Sequence, residues 1–186
     1  MNACGSKCSR LGHNSEVTFY HLTAKIMNMQ NPIANRPSLG QFISVVCFKS
    51  VITGMEEALG EKATAISMIA AGRARGKNLV KDLGLSNSSL DFDAIAIGLN
   101  DAVGSAGTRL TAVDKIVQVG DLIKVYCSET VCSANEHDGS NRLSTFTMGA
   151  IWGALSEITG KKLRGVHTES VLRGGTHDVF EFSVVE

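Results

Sequence analysis

Gly149-Ala150-Ile151-Trp152-Gly153-Ala154-Leu155-Ser156-Glu157-Ile158-Thr159-Gly160-Lys161-Lys162, followed by His167-Thr168-Glu169-Ser170, Arg173-Gly174-Gly175 and Phe180-Glu181-Phe182-Ser183-Val184, is the stretch on which the fold turns. Ile151, Trp152, Leu155 and Ile158 recur at helical spacing and make one apolar face, and Gly160 supplies the left-handed residue that stops such a helix. Beyond it the apolar residues alternate, and Gly174-Gly175 reads as a two-residue turn between two strands. Units of this kind build scaffolds that enclose small apolar molecules. No acid, base and nucleophile stand at a catalytic spacing within it.

Upstream, Ser38 is placed to cap a helix over 39–59, in which Phe42, Val45, Val46, Lys49, Ile52, Met55 and Leu59 recur at three and four before Gly60 ends it. A second helix is predicted over 62–83, with Ile66, Ile69, Ala70, Arg73, Lys77, Val80 and Leu83 in the same rhythm and Gly84 after its end. Gly72 and Gly76 lie one turn apart inside it. Each costs about 1 kcal/mol against Ala in an exposed helix, so close approach of another backbone is expected there.

Ser86-Asn87-Ser88-Ser89 breaks the pattern before a third helix over 90–103, striped by Phe92, Ile95, Ala96, Leu99 and Val103. From Thr108 the pattern alternates: Leu110, Ala112, Ile116, Val117 and Val119, then a Gly120-Asp121 turn, then Leu122, Ile123, Val125, Tyr126 and Cys127. A polar loop at 135–141 leads into the fourth helix. Residues 1–38 hold both prolines and many Gly, Ser and Asn, so they are expected to form a partly mobile arm, with a single domain over 39–186.

The chain has 186 residues, 44% of them apolar, enough for one sizeable core. Eighteen Lys and Arg balance eighteen Asp and Glu, so no long-range field gathers nucleic acid or anionic lipid. The longest apolar stretches are interrupted by Lys49, Glu56, Arg73 and Asp101 and fall short of the ~20 residues a bilayer span needs. An odd count of cysteines, Cys4, Cys8, Cys47, Cys127 and Cys132, without a secretory leader, leads to the expectation of a soluble protein in a reducing cytoplasm. No phosphate-binding glycine motif occurs, so nucleotide dependence has no basis in the sequence.

The order of three helices, hairpin, helix and hairpin resembles the 4-vinyl reductase domain family, related in fold to the TRAPP vesicle-tethering subunits and the haem nitric-oxide-sensor ligand domains. The resemblance covers residues 39–186 and is carried by 71–79 (Ala-Gly-Arg-Ala-Arg-Gly-Lys-Asn-Leu), by 146–155 (Phe-Thr-Met-Gly-Ala-Ile-Trp-Gly-Ala-Leu), and by the closing hairpin from Thr168-Glu169 to Phe180-Glu181-Phe182. It implies an α/β (α+β) fold with an antiparallel sheet packed against four or so helices, a homodimer, and an interior pocket for a hydrophobic small molecule. Many members of the family pair a cysteine before the fourth helix with two in the final hairpin. This chain has Cys127 and Cys132 but only Ser170, Val171 and Asp178 to Phe180 where the later ones would fall, so no metal site is expected. TRAPP subunits carry an acylated cysteine before the second helix; Gly60-Glu61-Lys62-Ala63-Thr64 has none, so any ligand should be reversible.

Several residues admit two readings. Trp152, the single tryptophan, packs in the core or lines a ligand cavity, and Phe42, Val46, Met68 and Phe146 share that choice. Arg73, with Arg75 and Lys77, is part of a solvated face or holds a ligand carboxylate. Cys4 and Cys8 with His13 chelate a metal or belong to a mobile arm, and Cys127 and Cys132 are strand-end thiols or a metal pair. His137 with Glu136 and Asp138 forms a polar turn or holds a cation, and His167, His177 and Glu169 pair across an exposed hairpin face or form a site.

The leading expectation is a non-enzymatic sensor or carrier domain that encloses a tetrapyrrole, fatty acid or hydrocarbon between helices and sheet. Its pocket candidates are Phe42, Val46, Met68, Arg73, Phe146 and Trp152, with no catalytic or metal-ligating residues. The alternatives are an enzyme or accessory factor in the vinyl reduction of chlorophyll precursors, and a scaffold subunit of a larger assembly. No cofactor is named by the sequence.

Overall fold

The computed structural model describes residues 36–185, and its elements run α1 (Val45–Leu59), α2 (Glu61–Leu83), α3 (Phe92–Val103), β1 (Ala112–Val119), β2 (Leu122–Ser128), α4 (Thr145–Thr159), β3 (Leu163–Glu169) and β4 (Asp178–Val184). The strands form one antiparallel sheet in the order β1-β2-β4-β3. This is the α+β architecture expected from the sequence. Most of the 1–38 arm, including Cys4, Cys8 and His13, lies outside the described residues.

Glycine brings α2 and α4 together. A Cβ on Gly72 would collide with the Phe146 carbonyl and come 2.8 Å from the Ala150 nitrogen; one on Gly76 would collide with the Ala150 carbonyl and come 2.8 Å from the Ala154 nitrogen. The fit is reciprocal, because a Cβ on Gly149 would sit 2.5 Å from the Ile69 carbonyl oxygen and one on Gly153 would strike the Arg73 carbonyl. Gly72 and Gly76 therefore meet backbone as expected, and Gly149 and Gly153 are the matching pair on α4. With the sheet on its other side, α4 buries nine of its fifteen residues, which is why its sequence is apolar almost all round.

Caps explain the helix ends. Gly84 takes the left-handed conformation (φ 72°), its N–H donating to the Lys81 carbonyl while Leu85 N–H donates to Val80, both at 3.0 Å, which is a Schellman closure. Asp91 caps α3, its Oδ1 accepting from Ala94 N–H at 2.7 Å. The first helix starts later than expected: Ser44, not Ser38, is its cap, accepting from Val46 N–H at 3.2 Å. Gly40 is left-handed (φ 62°) and closes a separate turn onto the Arg36 carbonyl, which interrupts the ladder that the apolar spacing alone would continue.

The final hairpin also differs from expectation. Gly174-Gly175 is not a two-residue turn; a 3-10 turn at Val171–Arg173 intervenes, because Ser170 Oγ caps it by accepting from Leu172 N–H and the Ser170 carbonyl accepts from Gly175 N–H at 2.9 Å. The sheet's inner face sets Ile123, Val125 and Cys127 of β2 beside Phe182, Phe180 and Asp178 of β4. Val125, Leu155, Phe180 and Phe182 are all 0% exposed, so side chains fill the space between α4 and the sheet. The outer face carries ordinary surface pairs such as Lys124–Glu181 at 2.6 Å.

Candidate apolar clefts beside the first helix

The space expected between helices and sheet is occupied by the core, and the clefts open beside α1 instead. This helix buries only Ile52 of its fifteen residues. It rests on a small separate cluster of Ile52, Met68 and Cys132, flanked by Phe48, Met55, Val131 and Phe146. Ion pairs hold it down: Lys49 bonds Glu136 and donates to the Cys132 carbonyl at 2.8 Å, while Arg142 grips Glu56 with two bonds of 2.7 and 3.0 Å and also contacts Glu136. Burial pushes the Glu136 carboxyl up, but Lys49, Ser140 and Arg142 outweigh it and hold it below its usual range.

At the amino-terminal end of α1 lies a cleft of about 400 Å³. Phe42, Ile43, Val45, Phe48, Leu110, Val131 and Phe146 are its apolar lining. Phe48 and Phe146 meet edge to face with centroids 5.3 Å apart, so the cleft has a fixed aromatic floor. Its polar lining is Gln41, Ser44, Arg75, Thr108 and Arg109, the guanidinium of Arg109 lying 4.7 Å from the Phe42 ring centroid.

A second cleft, of about 440 Å³, opens along the other half of α1 over Ile52, Thr64 and Cys132, with Glu56 and Arg142 at its rim. Thr64 is 1% exposed and its hydroxyl has no hydrogen-bond partner among the described residues. A third, polar cleft is lined by Arg73, Lys77, Ser156, Lys161 and Lys162.

The six pocket candidates divide. Phe42 and Phe146 share the aromatic cleft, and Met68 packs in the cluster between the two clefts on either side of α1. Val46 is 58% exposed and lines neither. Arg73 and Trp152 stand apart and engage each other, the guanidinium 4.4 Å from the indole centroid, with Trp152 also against Phe182. Phe48, Thr64 and Arg109 were missed as lining residues. Phe48 carried a weak signal, three residues after Val45 on the expected inward stripe; Arg109 carried none.

His167 does not lie on an exposed face. Its Nε2 donates to Asp178 Oδ1 at 3.1 Å, a direction set by Ser144 N–H donating to Nδ1 at 3.3 Å. Thr130 (2.5 Å) and Ser133 (3.1 Å) donate to Asp178 Oδ2. Burial raises the Asp178 carboxyl, but the bonds from His167, Thr130 and Ser170 prevail and bring it down to about 2. Both carboxylate oxygens of Asp178 are thus held by donors of the fold itself. His177 pairs instead with Asp114 at 3.8 Å, and His137 is exposed.

Cys127 belongs to the main core and Cys132 to the cluster under α1, so the two thiols do not form a site. Burial, with the charges of Asp114 and Asp178, pushes the Cys127 thiol far up and leaves it unreactive, despite a bond from Thr111. Among the described residues no three His, Cys, Asp or Glu side chains are grouped to hold a metal ion, and no helix is long and apolar enough to cross a membrane.

Among the described residues, four helices on an antiparallel four-stranded sheet of this topology place the chain in a TRAPP-subunit-like fold class. Among solved structures it is similar to the phenol-responsive sensory domain of the transcription activator PoxR, bound to phenol, with a TM-score of 0.64, 9% identity, and 90% of each chain covered. It is also similar to trafficking protein particle complex subunit 3 from Naegleria fowleri, covalently bound to palmitic acid, with a TM-score of 0.53, 14% identity, and 76% of this chain and 93% of that one covered. No family model and no curated protein sequence matches the chain.

Proposed function

We propose that this domain binds a small hydrophobic molecule reversibly, as a sensor or carrier, in the aromatic cleft of Phe42, Phe48 and Phe146. The observation that carries the reading is that cleft: about 400 Å³, within the range of small-molecule sites, walled by phenyl and aliphatic groups around a few polar ones. The two similar structures support it, since one was solved with phenol and the other with palmitic acid. A tetrapyrrole, fatty acid or hydrocarbon is the ligand class, and the 4-vinyl reductase resemblance belongs to the same reading. A cytoplasmic setting fits three free cysteines among the described residues.

A homodimer is part of the proposal, supported by exposed apolar side chains at Val46, Val51 and Leu59 of α1 and Ile66 of α2. The same exposure favours a scaffold subunit as second reading. A thermal-shift panel of fatty acids, phenols and porphyrins separates them. Binding predicts a rise of several degrees with one class, reduced in Phe146→Ala; a flat response across the panel rejects binding and leaves the scaffold.

A further inference from the structure

Two guanidinium groups line the aromatic cleft, Arg75 from α2 and Arg109 from the segment before β1, and among the described residues no aspartate or glutamate lines it. Neither arginine has a carboxylate partner among the described residues, whereas the part-buried cations around α1, Lys49 and Arg142, are both paired. Arg109 is exposed but Arg75 is half-buried, and a partly desolvated guanidinium such as that of Arg75 is unfavourable without a counter-charge unless something negative completes it. Arg109 is held in the left-handed region (φ 56°), its N–H donating to the Gly104 carbonyl at 3.0 Å, a conformation an L-residue adopts at a cost. Its guanidinium lies over the Phe42 ring, a stacking that leaves the planar edge of N–H donors to meet a carboxylate side-on.

From the two unpaired arginines on an apolar cleft that lacks acids, we infer that the ligand is an amphipathic anion: an acyl or aromatic monocarboxylate whose body lies on Phe48 and Phe146 and whose head meets Arg75 and Arg109. This rests on the binding reading above and narrows it, setting neutral hydrocarbons aside. The fork geometry of arginine suits a planar carboxylate better than a point charge would.

Isothermal titration of the full chain with octanoate against octanol, and with naphthoate against naphthol, tests it with the charge as the only large variable. The expected result is that each carboxylate binds about tenfold or more tightly than its alcohol, the worth of one charge-assisted contact. That preference should shrink in Arg75→Gln and Arg109→Gln, which keep their affinity for the alcohols, and Arg109→Lys should recover part of it. Equal affinity for acid and alcohol overturns the anion assignment while leaving hydrophobic binding intact. Loss of alcohol binding in the variants removes these two arginines from the assignment. If none of the four compounds binds, the anion assignment falls, and the binding reading stands or falls on the thermal-shift panel.

Discussion

Asp178 shows how a buried charge becomes structural rather than chemical. It is 0% exposed, and hydroxyl donors and the His167 ring surround it, tying the start of β4 to β3 and to Ser144, the residue before α4. Because its folded value (about 2) lies below the ordinary carboxylate value, its contribution is complete above about pH 4 and is lost as pH falls through 2. That contribution is roughly 2 kcal/mol. Asp178→Asn should therefore be less stable at neutral pH, and its unfolding free energy should fall less steeply between pH 4 and pH 2. Denaturation series at several pH values check this; parallel acid limbs for the two proteins would refute it. Sequence alone placed His167 on a strand but not on its buried face, since the partner that draws it in enters through an eight-residue connection from Ser170 to His177.

A close backbone contact on α2 is the clearest case of a feature readable in advance. Gly72 and Gly76 are poor helix formers one turn apart, and only a close backbone contact offsets that cost. Their partners Gly149 and Gly153 stood in the other quoted phrase of the same resemblance, but which helix meets which is a long-range fact that spacing does not carry. Two substitutions should have opposite signs. Gly76→Ala drives a methyl into the Ala150 carbonyl and should cost about 3 kcal/mol, whereas Gly54→Ala on α1, where a Cβ meets nothing within 4 Å, should stabilise by about 0.5–1 kcal/mol. Urea midpoints compare them directly. Equal effects would show that α2 and α4 are not packed this closely. Helix starts were less legible: Leu39 and Phe42 keep the apolar rhythm, but Gly40 turns left-handed and defers α1 to Ser44.

Across the whole molecule, the order of elements followed from periodicity and the layering from the family resemblance, and the position of the cleft followed from neither. Large side chains on β4 and α4 fill the interior where a hollow was expected, and the open volume lies beside α1, which a small apolar cluster and ion pairs hold to the body. Only Phe42 and Phe146 of the six pocket candidates converge on the aromatic cleft, because its lining comes from α1, α2, α4 and three connecting segments whose meeting depends on tertiary packing. The most direct measurement is a methyl and aromatic NMR titration of the full chain with octanoate. Perturbations centred on Phe42, Phe48, Val131 and Phe146, saturating with one affinity, are the predicted result. Perturbations that fall elsewhere, or none at concentrations that solubility permits, would contradict a binding site in this cleft.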